Sequence, residues 1–314
     1  MTDHFAAASA ADTSKALFGA EYAAVWPSAA EEESYGAALA ALLAPGAAVL
    51  THRLRTWDCR PDMEEAHRLA RLRRPKVIVA GWSAYPRRLD YAHYRRIADE
   101  VGALLLVDMA NVAGAVAAGL HPNPVPHAHV VTTADHPTLG GTVLTGDPHV
   151  AQWLDALALP GGPCHDGTSA RAVAYRFAAT PEFRERQARA LRAARILAGR
   201  LLADDVADAG VRVLTGSTET DHVLVSLTDP YRGGLRDVRG PQAALNAAGV
   251  PATCAALPTK SRTQQQSSVL SITTTALAGR GLDDPGHRAA AETVARVLTH
   301  EPGERVPAHR RIGA

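Results

Sequence analysis

Three short apolar runs constrain the fold most: Val77-Ile78-Val79-Ala80, Leu104-Leu105-Leu106-Val107 and Val130-Val131-Thr132-Thr133. None alternates apolar with polar residues. A strand without alternation is covered on both faces, which is the condition of a parallel sheet layered with helices. The stretches between the runs have helical spacing: residues 63–73 and 91–101 read as helices, and residues 30–43 as another, stopped by Pro45-Gly46. The pattern is that of an α/β chain. The third run ends in a loop at Asp135-His136-Pro137. Beyond a Gly-rich loop at 160–167, a long helical stretch is interrupted near Pro181 and resumes over 183–202. Strands at 211–214, 223–227 and 269–273, with helices at 242–248 and 287–298, then suggest a smaller α+β domain. The expected division is a large domain over 1–170, a connecting helix and small domain over 171–300, and a tail over 301–314 without periodicity.

Composition narrows the function classes. With 314 residues and 46% hydrophobic content the chain can bury a large core. Its 33 basic and 32 acidic residues leave a formal charge of +1, so no field favours nucleic acid or an anionic membrane. No apolar run reaches the roughly 18 residues of a membrane span, and residues 1–20 lack a basic region followed by an apolar one. A soluble cytoplasmic protein is expected. Cys59, Cys164 and Cys254 are odd in number and lack CxxC spacing, so neither a disulfide framework nor a zinc site is signalled. The only lysines are Lys15, Lys76 and Lys260, which limits any chemistry that needs an amine.

A long match carries a resemblance. The stretch Pro75-Lys76-Val77-Ile78-Val79-Ala80-Gly81-Trp82-Ser83-Ala84-Tyr85, then Asp108-Met109-Ala110-Asn111-Val112-Ala113-Gly114, then Pro122-Asn123-Pro124-Val125-Pro126-His127-Ala128-His129 is similar to the centre of serine hydroxymethyltransferases. Weaker similarity continues through Pro160-Gly161-Gly162, Pro181-Glu182-Phe183 and Asp221-His222 to about Leu298. The resemblance implies a fold-type-I aminotransferase-like architecture: a mostly parallel central sheet covered by helices, plus a smaller C-terminal α+β domain. It also implies a homodimer, because that family builds each pocket from two subunits.

Carried across residue by residue, the resemblance places Asp108 where an aspartate pairs with the pyridine nitrogen of pyridoxal phosphate, and Ser83 near the cofactor. Other positions depart from the family. Pro137 stands where the Schiff-base lysine is expected, and proline has no amine. Glu31-Glu32-Glu33 fall near the phosphate cup, where three carboxylates would repel a phosphate. The ring-stacking histidine has no clear counterpart, His52 being a remnant at most. Asn111 replaces a histidine, Ser271 replaces the arginine that holds the substrate carboxylate, and the N-terminal arm expected to supply a catalytic glutamate and tyrosines is missing.

These departures lead to the expectation of a shortened, cofactor-independent relative. In this reading no pyridoxal phosphate is used, and the emptied pocket acts on a small polar or amino-acid-derived molecule by condensation, cyclisation or lysis in specialised metabolism. The alternatives are a non-catalytic partner or binding subunit, with a pathway partner protein, and a noncovalent pyridoxal-phosphate binder. Candidate catalytic residues are His136, with Asp135 raising its proton affinity, and Lys260 in the loop bordering the family's site. Candidate substrate-binding residues are Asp108, Asn111, Ser83, Tyr85, Cys164, His165 and Ser271. His127 and His129 have ligand-like spacing but belong to the ordinary family motif, so no metal is expected.

Overall fold

A computed structural model describes residues 22–26, 49–50, 54–55, 58–81, 84–136, 140–156, 173–228, 234–255 and 269–300. Its described residues divide into two compact units. One lies within Met1–Thr51, Met63–Ser83 and Leu89–Arg184; the other within His52–Asp62, Ala84–Arg88 and Glu185–Ala314.

The first unit is built on a six-stranded sheet. Its strands are β1 (Tyr22–Trp26), β2 (Val49–Leu50), β3 (Val77–Ala80), β4 (Leu104–Asp108), β5 (Val130–His136) and β6 (Gly140–Thr145), in the order β1-β6-β5-β4-β3-β2. β2 to β5 are parallel, while β6 runs antiparallel to β5 and β1 antiparallel to β6. The unalternating runs behave as expected: all four residues of β3 are buried, as are the three central residues of β4. The unit also contains helices α1 (Met63–Arg73), α2 (Tyr91–Val101), α3 (Ala113–Ala117) and α4 (Pro148–Ala156). α2 begins where the Asp90 side chain accepts from the His93 amide and ends at Gly102 in the left-handed region, so both its termini are capped.

β5 is longer than its apolar run predicts. It continues through Asp135 to His136, which pairs with Gly140, and the register shifts between Ala134 and His136. Pairing with β6 holds the polar end extended where propensity alone suggested a loop. His129, at the start of β5, has a structural role. The Leu105 amide donates to its Nδ1 at 2.9 Å, and burial holds its ring below the ordinary histidine pKa. Arg95 donates to the His127 carbonyl. Among the described residues no group of three or more His, Cys, Asp or Glu side chains could hold a metal.

The second unit contains an antiparallel sheet, β7 (Val211–Val213), β8 (His222–Leu227), β9 (Ala252–Ala255) and β10 (Val269–Thr273), ordered β7-β8-β10-β9. Its helices are α5 (Pro181–Leu201), which belongs to this unit from Glu185 onward, α6 (Asp204–Asp208), α7 (Arg239–Ala247), α8 (Thr275–Gly279) and α9 (Asp284–Thr299). Pro181 starts α5 rather than breaking it, as suits a residue with no amide to leave unpaired at a first helical turn, and the Phe183 amide donates to Thr180 Oγ1. Val223, Val225 and Leu227 of β8, with Leu270 and Ile272 of β10, pack against Leu197 and Leu201 of α5, Leu245 of α7 and Val294 and Leu298 of α9. The alternate residues His222, Leu224, Ser226 and Ser271 occupy the opposite face. Arg200 ties three helices together, bonding Glu292 at 2.6 Å and Asp205 at 2.8 Å.

His287, in the first turn of α9, is buried, and neither ring nitrogen has a hydrogen-bond partner among the described residues. Its nearest acid is Asp284, 4.0 Å away, and Arg189 and Arg192 of α5 oppose its charge. Burial is the largest cause and pushes its pKa below the ordinary value; Asp284 opposes this shift, Arg192 adds to it, and Asp283 and Arg189 contribute less in opposite directions. The folded state therefore prefers the neutral ring, and the unfolded chain takes up the proton first as pH falls. Stability is retained above the unfolded value of about 6.5 and lost as pH falls toward the folded pKa. His287→Leu is expected to flatten this acid-side loss of melting temperature and to add about 1 kcal/mol at neutral pH by removing an unsatisfied polar ring. A pH series of melting curves checks both.

Candidate active site

In a mostly parallel sheet, ligands are expected beyond the carboxyl ends of the strands. At that end of β4 lies Asp108. Its carboxylate is half-buried, and its Oδ1 accepts from the Ala110 amide at 3.0 Å, which turns the chain sharply as the strand ends. Two neighbours fix the position. Gly81, just past β3, has φ +122°, and a Cβ there would lie 2.2 Å from the Asp108 carbonyl oxygen. On the other side Asp108 is in register with Thr132 of β5, whose carbonyl accepts from the Met109 amide at 2.8 Å.

Thr132 was not singled out by its sequence. Its Oγ1 is buried and has no hydrogen-bond partner among the described residues. A buried hydroxyl without a partner beside a carboxylate, at the ligand-binding end of a sheet, is the kind of exception that a bound polar group would resolve. The signal that could have found it is register: parallel pairing of residues 104–108 with the run beginning at Val130 places residue 132 beside Asp108. Tyr91, at the start of α2, is also buried, and burial pushes its phenol upward with a smaller contribution from the charge of Asp108.

The other candidates are distributed as follows. Asn111 is half-buried in the turn after β4, within the same unit as Asp108. Asp135 and His136 are the last residues of β5, three and four positions beyond Thr132, the register partner of Asp108. Ser83, Pro137, Cys164, His165 and Lys260 lie outside the described residues, as do Glu31 to Glu33 and His52. Tyr85 and Ser271 belong to the second unit. Tyr85 is buried, and desolvation pushes its phenol upward against the nearby Arg60 and Arg87. Ser271, buried on β10, lies 3.2 Å from His222 Nδ1. Cys59 and Cys254 carry free thiols.

The family model for serine hydroxymethyltransferase matches residues 47–145 and 156–295, the stretches that hold both sheets apart from β1. The chain belongs to the serine hydroxymethyltransferase family. It is 44% identical to "Serine hydroxymethyltransferase 2" of Mycobacterium tuberculosis (strain ATCC 25618 / H37Rv), an alignment that takes in 92% of this chain and 75% of the relative. It is 43% identical to "Serine hydroxymethyltransferase 1" of Mycobacterium bovis over 92% of the chain and 74% of that protein. For the serine hydroxymethyltransferase of Nocardia farcinica the identity is 41% over 92% of the chain and 73% of the relative. The fold-type-I α/β architecture follows from this membership together with the observed sheet.

These relatives overturn the expectation of a cofactor-independent enzyme that is no genuine serine hydroxymethyltransferase, and with it the expectation of no cofactor and of a lysine lost together with its chemistry. That expectation gave single departures, at Pro137, at Glu31 to Glu33 and near His52, more weight than a likeness spread over 92% of the chain. The departures are concentrated in segments outside the described residues, whereas Asp108 and its supports are intact. Pyridoxal phosphate, the group the family implies, fits what is described of its ring end: an ionised carboxylate is an acceptor for a protonated ring nitrogen, and Thr132 offers a hydroxyl with no partner among the described residues.

Proposed function

We propose that this chain is a pyridoxal-phosphate-dependent serine hydroxymethyltransferase, acting on small amino acids and transferring the hydroxymethyl group between serine and glycine. The observation that carries the reading is Asp108, half-buried at the carboxyl end of β4 and braced by Gly81 and Thr132, in a chain of this family. When bound, the cofactor supplies an electron sink for bonds broken at the amino acid's α-carbon. Asp108 holds a proton on the ring nitrogen, and partial burial strengthens that charge-assisted bond relative to water. Asp135 and His136, ending β5, are the proposed proton-transfer groups. Ser83, Asn111, Tyr85, Cys164 and His165 are the proposed substrate contacts.

Residue 137 is proline, which has no amine, and the amine that would take up the cofactor is proposed to be another residue's. Lys76 precedes β3, which runs parallel to β4, and so lies at the opposite end of the sheet from Asp108, about 15 Å away at strand rise. We assign the role to Lys260. The reading further includes a homodimer, a cytoplasmic location, a large domain over 1–170, a small one over 171–300 and a tail over 301–314. No described helix is long and apolar enough to cross a membrane.

The test is addition of pyridoxal phosphate to the purified chain, followed by borohydride reduction and peptide mapping. A new visible absorbance band, fixed by reduction onto the Lys260 peptide and lost in Lys260→Ala, is expected. Label on Lys15 or Lys76 would overturn the assignment of Lys260. Absence of any binding, with no serine-to-glycine turnover, would overturn the function.

A further inference from the structure

The second unit holds a chain of polar side chains that the chemistry above does not use. In the antiparallel pair of β8 and β10, His222 lies opposite Thr273 and Leu224 opposite Ser271. His222 and Ser271 are therefore diagonal neighbours on the face turned away from the helices, within side-chain reach. Ser271 Oγ lies 3.2 Å from His222 Nδ1, and His222 Nε2 lies 3.6 Å from Asp221 Oδ1. The other oxygen of Asp221 accepts from the Thr275 hydroxyl. A carboxylate facing Nε2 favours the tautomer that keeps its proton there, which leaves Nδ1 as the acceptor for the Ser271 hydroxyl. The order is nucleophile, base and orienting carboxylate, with the two ring nitrogens exchanged relative to the usual Ser-His-Asp arrangement.

The backbone around these groups is held by further bonds. Thr218 Oγ1 donates to the His222 carbonyl at 2.6 Å, and the His222 amide donates to Thr220 Oγ1 at 3.2 Å. The amide and hydroxyl of Thr274 both donate to the Asp221 carbonyl, at 3.0 and 3.1 Å. Such support holds a side-chain constellation in place before any ligand arrives. The 3.6 Å separation of His222 and Asp221 is longer than a good hydrogen bond, as is common before a reaction partner tightens a site. The Asp221 and His222 side chains keep 19% and 15% of their surface, while Ser271 keeps 3%, so approach is along the imidazole and limited to a small electrophile.

We propose that Ser271 is a nucleophile activated by His222 and oriented by Asp221, giving this chain an esterase-type activity toward small activated acyl or phosphoryl esters. Ser271 Oγ bonds to the acyl carbon or phosphorus, and its proton passes to His222 Nδ1. The ester's oxygen leaves with that proton. Water then attacks the acyl-serine, gives one proton to His222, releases the acid and restores the serine hydroxyl as His222 returns the proton. With a phosphoryl ester the second step is slow, so the adduct accumulates.

The experiment is treatment of the full chain with diethyl p-nitrophenyl phosphate, with and without pyridoxal phosphate, following nitrophenolate release and mapping the adduct by mass spectrometry. A stoichiometric adduct on the Ser271 peptide is expected, absent in Ser271→Ala and about a hundredfold slower to form in His222→Gln. Asp221→Asn, which keeps the shape of the site but removes the orienting charge, should slow it as well and serves if His222→Gln fails to melt cooperatively. No adduct at Ser271, or formation at the wild-type rate in these variants, overturns the proposal. Labelling needs no cofactor, so its failure leaves the hydroxymethyltransferase reading standing, and failure of that reading leaves this one testable.

Discussion

Gly81→Ala is expected to cost about 3 kcal/mol or more of folding stability, a large fraction of what holds a domain of this size together. Two independent penalties meet at this position. The residue has φ +122°, a conformation that L side chains rarely adopt, and the new Cβ would lie 2.2 Å from the Asp108 carbonyl oxygen. That oxygen belongs to the backbone of β4, whose neighbours are paired on both sides by β3 and β5, so it cannot swing away as a flexible side chain would. Gly102→Ala separates the two terms. Gly102 also has positive φ, at +69°, but a Cβ there meets nothing within 4 Å. Its cost should be only the conformational one, about 1 kcal/mol. Urea unfolding of both variants gives the comparison; equal losses would mean that the approach of Gly81 to Asp108 contributes nothing. Because the same contact braces the candidate site, Gly81→Ala should also weaken pyridoxal-phosphate binding, while Gly102→Ala should not.

How much of this was legible before folding depends on where the information resides. The unalternating runs at Val77, Leu104 and Val130 indicated a covered parallel sheet because burial on two faces removes the need for polar residues, and the helices over 63–73 and 91–101 followed from spacing and caps. Pro181 looked like an interruption and is instead the first residue of α5, since a missing amide harms a helix only after its first turn. The extension of β5 to His136 was hidden because pairing with Gly140, not local propensity, holds it. β9 was hidden as well: Ala252-Thr253-Cys254-Ala255 has little β-propensity of its own and is a strand because it pairs with β10. The site divides in the same way. Asp108 was visible through a long motif, but Thr132 became significant only once register set it beside Asp108, and the contact between His222 and Ser271 spans 49 positions of sequence. Side chains brought together by strand pairing leave no mark on local pattern. Pro137 is the converse case: one conspicuous position carries less information than a likeness distributed over 92% of the chain.

Asp108→Asn is expected to lower pyridoxal-phosphate affinity by about ten- to a hundredfold, because a hydrogen bond to a charged group contributes about 1.5–3 kcal/mol and each 1.4 kcal/mol is a factor of ten. Asparagine keeps the oxygen that accepts from the Ala110 amide, so the turn after β4 should persist and the melting temperature should change little. What it removes is the negative charge that would keep a proton on the ring nitrogen of bound cofactor. Without that proton the ring accepts electrons less readily, so turnover between serine and glycine should fall by more than binding does, by about a hundredfold or more even at saturating cofactor. Thr132→Val makes the matching change at the neighbouring hydroxyl, replacing a buried group without a partner by an apolar one of similar shape. Absent a ligand, that change should be neutral or slightly stabilising. With cofactor bound, a hydroxyl that completes the site would make the same variant bind more weakly. Titration of the visible band and thermal melting, carried out on both variants, distinguish a carboxylate that serves the cofactor from one that only ends a strand: if Asp108→Asn binds and turns over as the wild type does, the role of the carboxylate is structural.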